Sequence, residues 1–288
     1  MGARIAAHFA NSGVQVLLLD IVLPNQPDRS AAAKKGLDAA LKGRPAAFFL
    51  PSAASLIQTG NFEDDLPNVA SCDWIIEAVA ENLVIKRALL SKVMQHRKPG
   101  TLLSTNTSGI PLIEIIAGFE SDIRQHFFGT HFFNPPRYLH LVEVIPGPDT
   151  KPDLLAFAAD YCDRRLGKGV VPCKDTPNFI ANRIGSFFGS TVQTLTVEHD
   201  LTIEEVDLLT GQLIGLPKSA SYRLLDIVGL DVWAHVTNNL RDAVPNDPWR
   251  SRFVMQPFLQ EMISRKWLGD KTAQGCYKRV GKDKEIHA

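Results

Sequence analysis

Over the first ~175 residues, short apolar runs alternate with stretches that have a helical period. The runs Val14–Leu19, Trp74–Val79, Thr101–Ser104, Phe127–His131, Leu141–Ile145 and Val170–Cys173 have the length and composition of strands. Between them, Ala3–Asn11, Ala31–Leu41, Asn82–His96, Pro111–Ala117 and Lys151–Leu166 place apolar residues three and four apart, the spacing of one helix face. Strands alternating with helices predict a mainly parallel, doubly wound sheet. Residues 43–71 are rich in Pro, Ser and Gly with weak periodicity, and predict a surface excursion.

After Asp175-Thr176-Pro177 the strand pattern stops. Pro177 suits the first turn of a helix, where its missing N–H costs nothing, so Asn178–Glu198 reads as one long helix. Thr202 and Glu205 have capping-box spacing ahead of Val206-Asp207-Leu208-Leu209 and start another, and Phe253–Arg265 makes a further one. The expected fold is α/β: a Rossmann-like doubly wound sheet over residues 1–175, then an all-helical domain over 176–288.

The opening residues carry a more specific pattern. Residues 2–20 read as a helix, a turn at Ser12-Gly13, a strand, and an acid, Asp20, at the strand's carboxyl end. That is the downstream half of a β-turn-α-turn-β unit for a dinucleotide. There Gly2 would be the last fingerprint glycine, letting helix and strand pack closely, and Asp20 would hydrogen-bond a ribose hydroxyl. The upstream strand and two earlier glycines would precede Met1. The expectation is therefore an N-terminally truncated chain that lacks the first strand of its sheet. Such a chain would bind NAD more weakly than one including that strand.

Composition narrows the class. At 288 residues, with 45% hydrophobic and 22% charged residues, the chain reads as soluble and globular. Lys plus Arg and Asp plus Glu both number 31, so no net field draws it to nucleic acid or anionic lipid. No apolar run approaches a membrane span, and no charged segment followed by an apolar core opens the chain. Cys72, Cys162, Cys173 and Cys276 are scattered without a CxxC pair, which suits reduced thiols in a cytoplasmic protein.

Three polar clusters stand near the carboxyl ends of predicted strands, where open α/β sheets bind ligands. They are Glu77-Ala-Val-Ala-Glu81-Asn82-Leu83-Val84-Ile85-Lys86, Ser104-Thr105-Asn106-Thr107-Ser108-Gly109, and His131-Phe132-Phe133-Asn134-Pro135 with Glu143 in the following strand. A fourth, Lys174 to Arg183, marks the domain junction. His140 and Glu143 face opposite sides of a strand, so no metal site is expected. A Ser108/His131/Glu143 hydrolase triad lacks a G-x-S-x-G elbow and leaves Asp20 unexplained.

With MGARIA…D, EAVAEN…K, NTSG, HFFNP, LVEV, CKDTPNFIANR and KTAQGCY (Lys271–Tyr277) in this order, the chain resembles the L-3-hydroxyacyl-CoA dehydrogenase family over essentially its whole length. It is most similar to the dehydrogenase part of bifunctional fatty-acid β-oxidation proteins. The resemblance implies NAD as cofactor, an acyl-CoA substrate lying between two domains, and either a homodimer or an enoyl-CoA hydratase module in the same polypeptide. It implies His131 as catalytic base with Glu143 as its carboxylate partner, and Ser108 and Asn182 holding the reacting oxygens. Gly2, Asp20, Glu81, Lys86, Ser108 and Asn134 match cofactor-contacting positions, Lys86 also standing near the CoA. The chemistry suits these residue types, since oxidising a secondary alcohol needs a base that titrates near neutrality.

There are departures from the family pattern. Ala40 stands where a serine would help the CoA-contacting arm, and Ala47 falls near an expected lysine, with Lys42 and Arg44 as the nearby basic residues. Two rival readings follow. One is a catalytically silent structural module without the phosphate loop; the other is a dehydrogenase of a small hydroxy acid.

Overall fold

The structure, a computed structural model, describes residues 1–278. The chain divides into two compact units, Met1–Phe179 and the part from Ile180 onward.

The first unit is α/β. Helix α1 (Gly2–Asn11) buries Ile5, Ala6, Phe9 and Ala10, and ends at Ser12-Gly13, where Gly13 takes φ +84° as the tight turn requires. Strand β1 (Val16–Asp20) follows, then α2 (Ala31–Lys42). The expected excursion over residues 43–71 is instead structured. Strand β2 (Ile57–Asn61) pairs in parallel with β1, Val16 opposite Ile57 through Asp20 opposite Asn61, and short 3-10 turns at Pro51–Leu56 and Leu66–Ser71 flank it. The segment IQTGN carries one apolar side chain, so its strand character comes from the hydrogen bonds of β1 rather than from its own alternation.

The remaining strands form one sheet in the order β3-β4-β5-β6-β7. They are β3 (Trp74–Glu77), β4 (Leu102–Thr105), β5 (Phe127–Phe132), β6 (Leu141–Pro146) and β7 (Gly169–Pro172). All neighbours are parallel except β5 and β6. Helices α3 (Leu83–Val93), α4 (Leu112–Ile115), α5 (Ser121–His126) and α6 (Pro152–Arg164) connect them. Asn82 caps α3 by accepting from Ile85 N at 3.1 Å. The β1-β2 pair is not hydrogen-bonded to the larger sheet, yet both pack into shared clusters. Leu17, Leu19 and Ile75 join the core around Leu90, Leu103 and Phe127, while Val16, Trp74 and Ile76 pack around Ile5, Phe9 and Phe132.

Two departures from expectation have local causes. Asn178 and Phe179 take positive φ (60° and 50°), so no helix begins at Pro177; α7 runs over Ala181–Glu198. Ala40 and Ala47 belong to the alanine-rich packing between α1, α2 and β2, with Ala6, Ala7, Ala10 and Ile57. Small side chains there let the two helices approach.

The second unit is helical as far as it is described: α7, α8 (Ile203–Leu209), α9 (Tyr222–Val228), α10 (Leu230–Ala243) and α11 (Pro257–Ser264). The Thr202/Glu205 capping box is formed at the start of α8. Asp226 accepts from Cys276 N at 2.7 Å and Tyr277 N at 2.9 Å, and Asp207 accepts from the Tyr277 hydroxyl at 2.6 Å. The KTAQGCY segment is thereby pinned to α8 and α9.

Candidate active site

The antiparallel register of β5 and β6 sets His131 directly opposite Glu143. His131 is 5% exposed and Glu143 0%, and Nδ1 of the imidazole lies 2.7 Å from Oε2 of the carboxylate. An ionised carboxylate only accepts, so Nδ1 carries the proton and Nε2 is the basic nitrogen. The rings of Phe133 and Phe179, with centroids 4.4 and 5.7 Å from that of the imidazole, flank it on the apolar side. An aligned, basic, water-poor imidazole is the equipment of a general base.

The turn after β4 is held just as specifically. Asn106 N donates to Glu77 O at 2.7 Å, and Asn106 Oδ1 accepts from Phe132 N at 2.9 Å, so the turn is tied to both neighbouring strands. Glu81 Oε1 accepts from Thr107 Oγ1 at 2.6 Å, Ser108 N at 2.9 Å and Gly109 N at 3.1 Å. Burial works against the charged form of Glu81, but the Thr107 hydroxyl, the Lys86 ammonium and the Ser108 N–H outweigh it and hold this carboxyl below its ordinary range. Lys86 is fully buried. Its three N–H groups face three carboxylate oxygens, both of Glu77 at 3.0 Å and Glu81 Oε2 at 3.2 Å.

On the α1 side, Asp20 stands at the carboxyl end of β1, its Oδ1 accepting from Ile21 N at 2.8 Å. Gly2 opens α1, whose N-terminus has no side-chain cap. A Cβ added at Gly2 would lie 3.8 Å from Ala78, an ordinary contact, so packing alone does not demand glycine here. Arg4 donates to Asn134 Oδ1 at 3.3 Å, which links the first turn of α1 to the loop after β5. A carboxylate for ribose hydroxyls beside a helix N-terminus for phosphate is a donor and acceptor set that fits NAD. Asn182 lies in the second unit, in the first turn of α7.

The structure thus brings together His131 with Glu143, Glu81 with Lys86 and Ser108, and Asn134 with the α1 turn. Sequence reasoning missed Glu77 and Thr105, which hold Lys86 and the turn from beneath, although Glu77 opens the motif that was singled out. It also missed Asp175, whose carboxylate accepts from Leu112 N at 3.0 Å and Ile113 N at 3.3 Å and so caps α4. Among the described residues no three His, Cys, Asp or Glu side chains converge as metal ligands.

Comparison with known proteins adds an independent line. Residues 1–176 match the family model for the NAD binding domain of 3-hydroxyacyl-CoA dehydrogenase, and residues 179–279 match that for its C-terminal domain. A probable 3-hydroxyacyl-CoA dehydrogenase of Bacillus subtilis is 45% identical over 98% of this chain, which spans 37% of that relative's length. One from Deinococcus radiodurans is 44% identical over 99% of this chain and 81% of its own. The crystal structure of a 3-hydroxybutyryl-CoA dehydrogenase from Escherichia coli superposes with a TM-score of 0.81 at 30% identity, covering 100% of this chain and 59% of that one. With both of its units matched in order and a buried histidine–carboxylate pair at the expected strand ends, the chain belongs to the 3-hydroxyacyl-CoA dehydrogenase family.

Proposed function

We propose that this chain catalyses the NAD-dependent oxidation of an L-3-hydroxyacyl-CoA to the 3-ketoacyl-CoA, a step of fatty-acid β-oxidation. The observation that carries the reading is the buried His131–Glu143 pair. His131 Nε2 takes the proton of the C3 hydroxyl, and Glu143 holds the ring in the productive tautomer and stabilises the imidazolium that forms. When bound, NAD supplies the acceptor for the C3 hydride. Ser108 and Asn182 hold the reacting oxygens. Asp20 binds the adenosine ribose and repels a 2′-phosphate, Gly2 and Asn134 complete the cofactor side, and Glu81 acts through the turn it anchors; Lys86, fully buried with its donors on Glu77 and Glu81, stands behind that turn and not against the cofactor as the family resemblance implied.

The second unit exposes the apolar side chains of Ile184, Leu208, Leu213, Ile214 and Ile227, which supports association with a second copy of the chain. A hydratase module elsewhere in the same polypeptide is the competing partner. The scattered cysteines, with no CxxC pair, agree with a cytoplasmic setting, and no helix among the described residues is long and apolar enough to cross a membrane. Side-by-side turnover of acetoacetyl-CoA and free 3-hydroxy acids, with NADH or NAD, tests the assignment. Activity confined to the CoA thioester supports it; activity confined to the free acids replaces it with the small-substrate reading.

A further inference from the structure

Behind Ser108 lies a set of buried charges that the proton transfer does not use. Glu77 is 4% exposed and Lys86 0%. Burying charge is expensive unless it is fully paired, and replacing such a pair by apolar side chains is often neutral, so the pair itself is weak evidence of a stability role. Its connections are more specific. Glu77 ends β3 directly opposite Thr105 of β4. Its Oε1 accepts from Val79 N at 2.7 Å, and its Oε2 from Thr105 Oγ1 at 2.6 Å. From there two routes converge on one turn. Thr105 Oγ1 accepts from Thr107 N at 3.2 Å, and Lys86 passes from Glu77 to Glu81, whose other oxygen receives the N–H groups of Ser108 and Gly109.

We propose that Glu77 and Lys86 are positioning residues for Ser108. Glu77 orients Lys86, Lys86 draws Glu81 Oε2 inward, and Glu81 Oε1 is thereby held across the 107–109 turn that presents the Ser108 hydroxyl. Lys86 acts through Glu81, because each of its donors faces a carboxylate oxygen. The arrangement is a carboxylate cap on backbone N–H groups, locked by an ammonium from behind. The chemical consequence rests on the dehydrogenase reading above; the positioning itself does not.

Amide hydrogen exchange in the ligand-free protein tests the positioning. Lys86→Met removes the lock and leaves two carboxylates facing each other. The Ser108 and Gly109 amides should then exchange about tenfold faster, while strands β5 and β6 keep their protection. Glu77→Gln keeps an acceptor for Thr105 and Val79 but weakens the hold on Lys86, so it should act in the same direction by less. It also carries the comparison if Lys86→Met fails to fold. In turnover of acetoacetyl-CoA, Lys86→Met should lower kcat several-fold, and Lys86→Met with Ser108→Ala should be no slower than Ser108→Ala alone. Unchanged exchange at Ser108 and Gly109 in both variants would overturn the proposal, even if NADH affinity fell. Multiplying defects in the double variant would overturn it too. A wild-type protein without turnover would sink the dehydrogenase reading and leave the exchange experiment to decide the positioning.

Discussion

Histidine beside carboxylate is a short distance with a large consequence. Glu143 is fully buried and its partner is His131 Nδ1 at 2.7 Å, so the carboxylate selects the tautomer. Glu143→Gln preserves shape but can donate to Nδ1, which moves the proton to Nε2 and removes the base. A kcat loss of roughly 10²-fold with NADH affinity unchanged is expected from paired steady-state and binding measurements. Asp20 makes a different prediction. The wild-type enzyme should prefer NADH to NADPH, and Asp20→Ala should narrow that preference by weakening NADH binding; equal affinity for both cofactors in the wild type would contradict the assignment. The His131–Glu143 pairing was legible through the family resemblance, because HFFNP and LVEV lie on strands whose antiparallel register sets the two residues opposite each other. Glu77 and Thr105 were not. Their importance lies in facing Lys86 and the 107–109 turn across neighbouring strands, and linear spacing does not encode such a pairing.

At the scale of elements, strong periodicity was read correctly and weak periodicity was not. Strand β2 has one apolar side chain and was invisible until its pairing with β1 was known, whereas β5 and β6 declare themselves as apolar runs. Helix α1 carries a further consequence. His8 is buried on its inner face, and burial together with the nearby charges of Lys168 and Arg137 outweighs the Leu166 backbone and pulls its pKa from 6.5 to about 4. The group is neutral in the fold but protonates near pH 6.5 once unfolded. Its full contribution is therefore present above pH 6.5 and is lost as pH falls toward 4, a decline of about 3 kcal/mol in the unfolding free energy. His8→Leu should flatten that limb. Urea unfolding at a series of pH values checks it, and an acid limb of unchanged steepness in the variant would place the titration elsewhere.

For the whole molecule, two compact units match the two domain models in the same order, and the outline of an α/β unit followed by helices was readable from where the strand pattern stops. The start of α7 was not, because the left-handed residues Asn178 and Phe179 interrupt what reads as one helix from residue 178. If the exposed apolar residues of the second unit bind a second copy, light scattering should give a dimer mass that Leu208→Glu with Leu213→Glu converts to a monomer; a monomeric wild type would rule that partner out. The role of His131 as the base of a hydroxyacyl-CoA dehydrogenase is checked by following NADH oxidation with acetoacetyl-CoA in the wild-type protein and in His131→Ala. Turnover by the wild type, a loss of ~10²–10⁴-fold in kcat for the variant, and unchanged NADH affinity are expected. A variant that turns over at close to the wild-type rate would contradict that role.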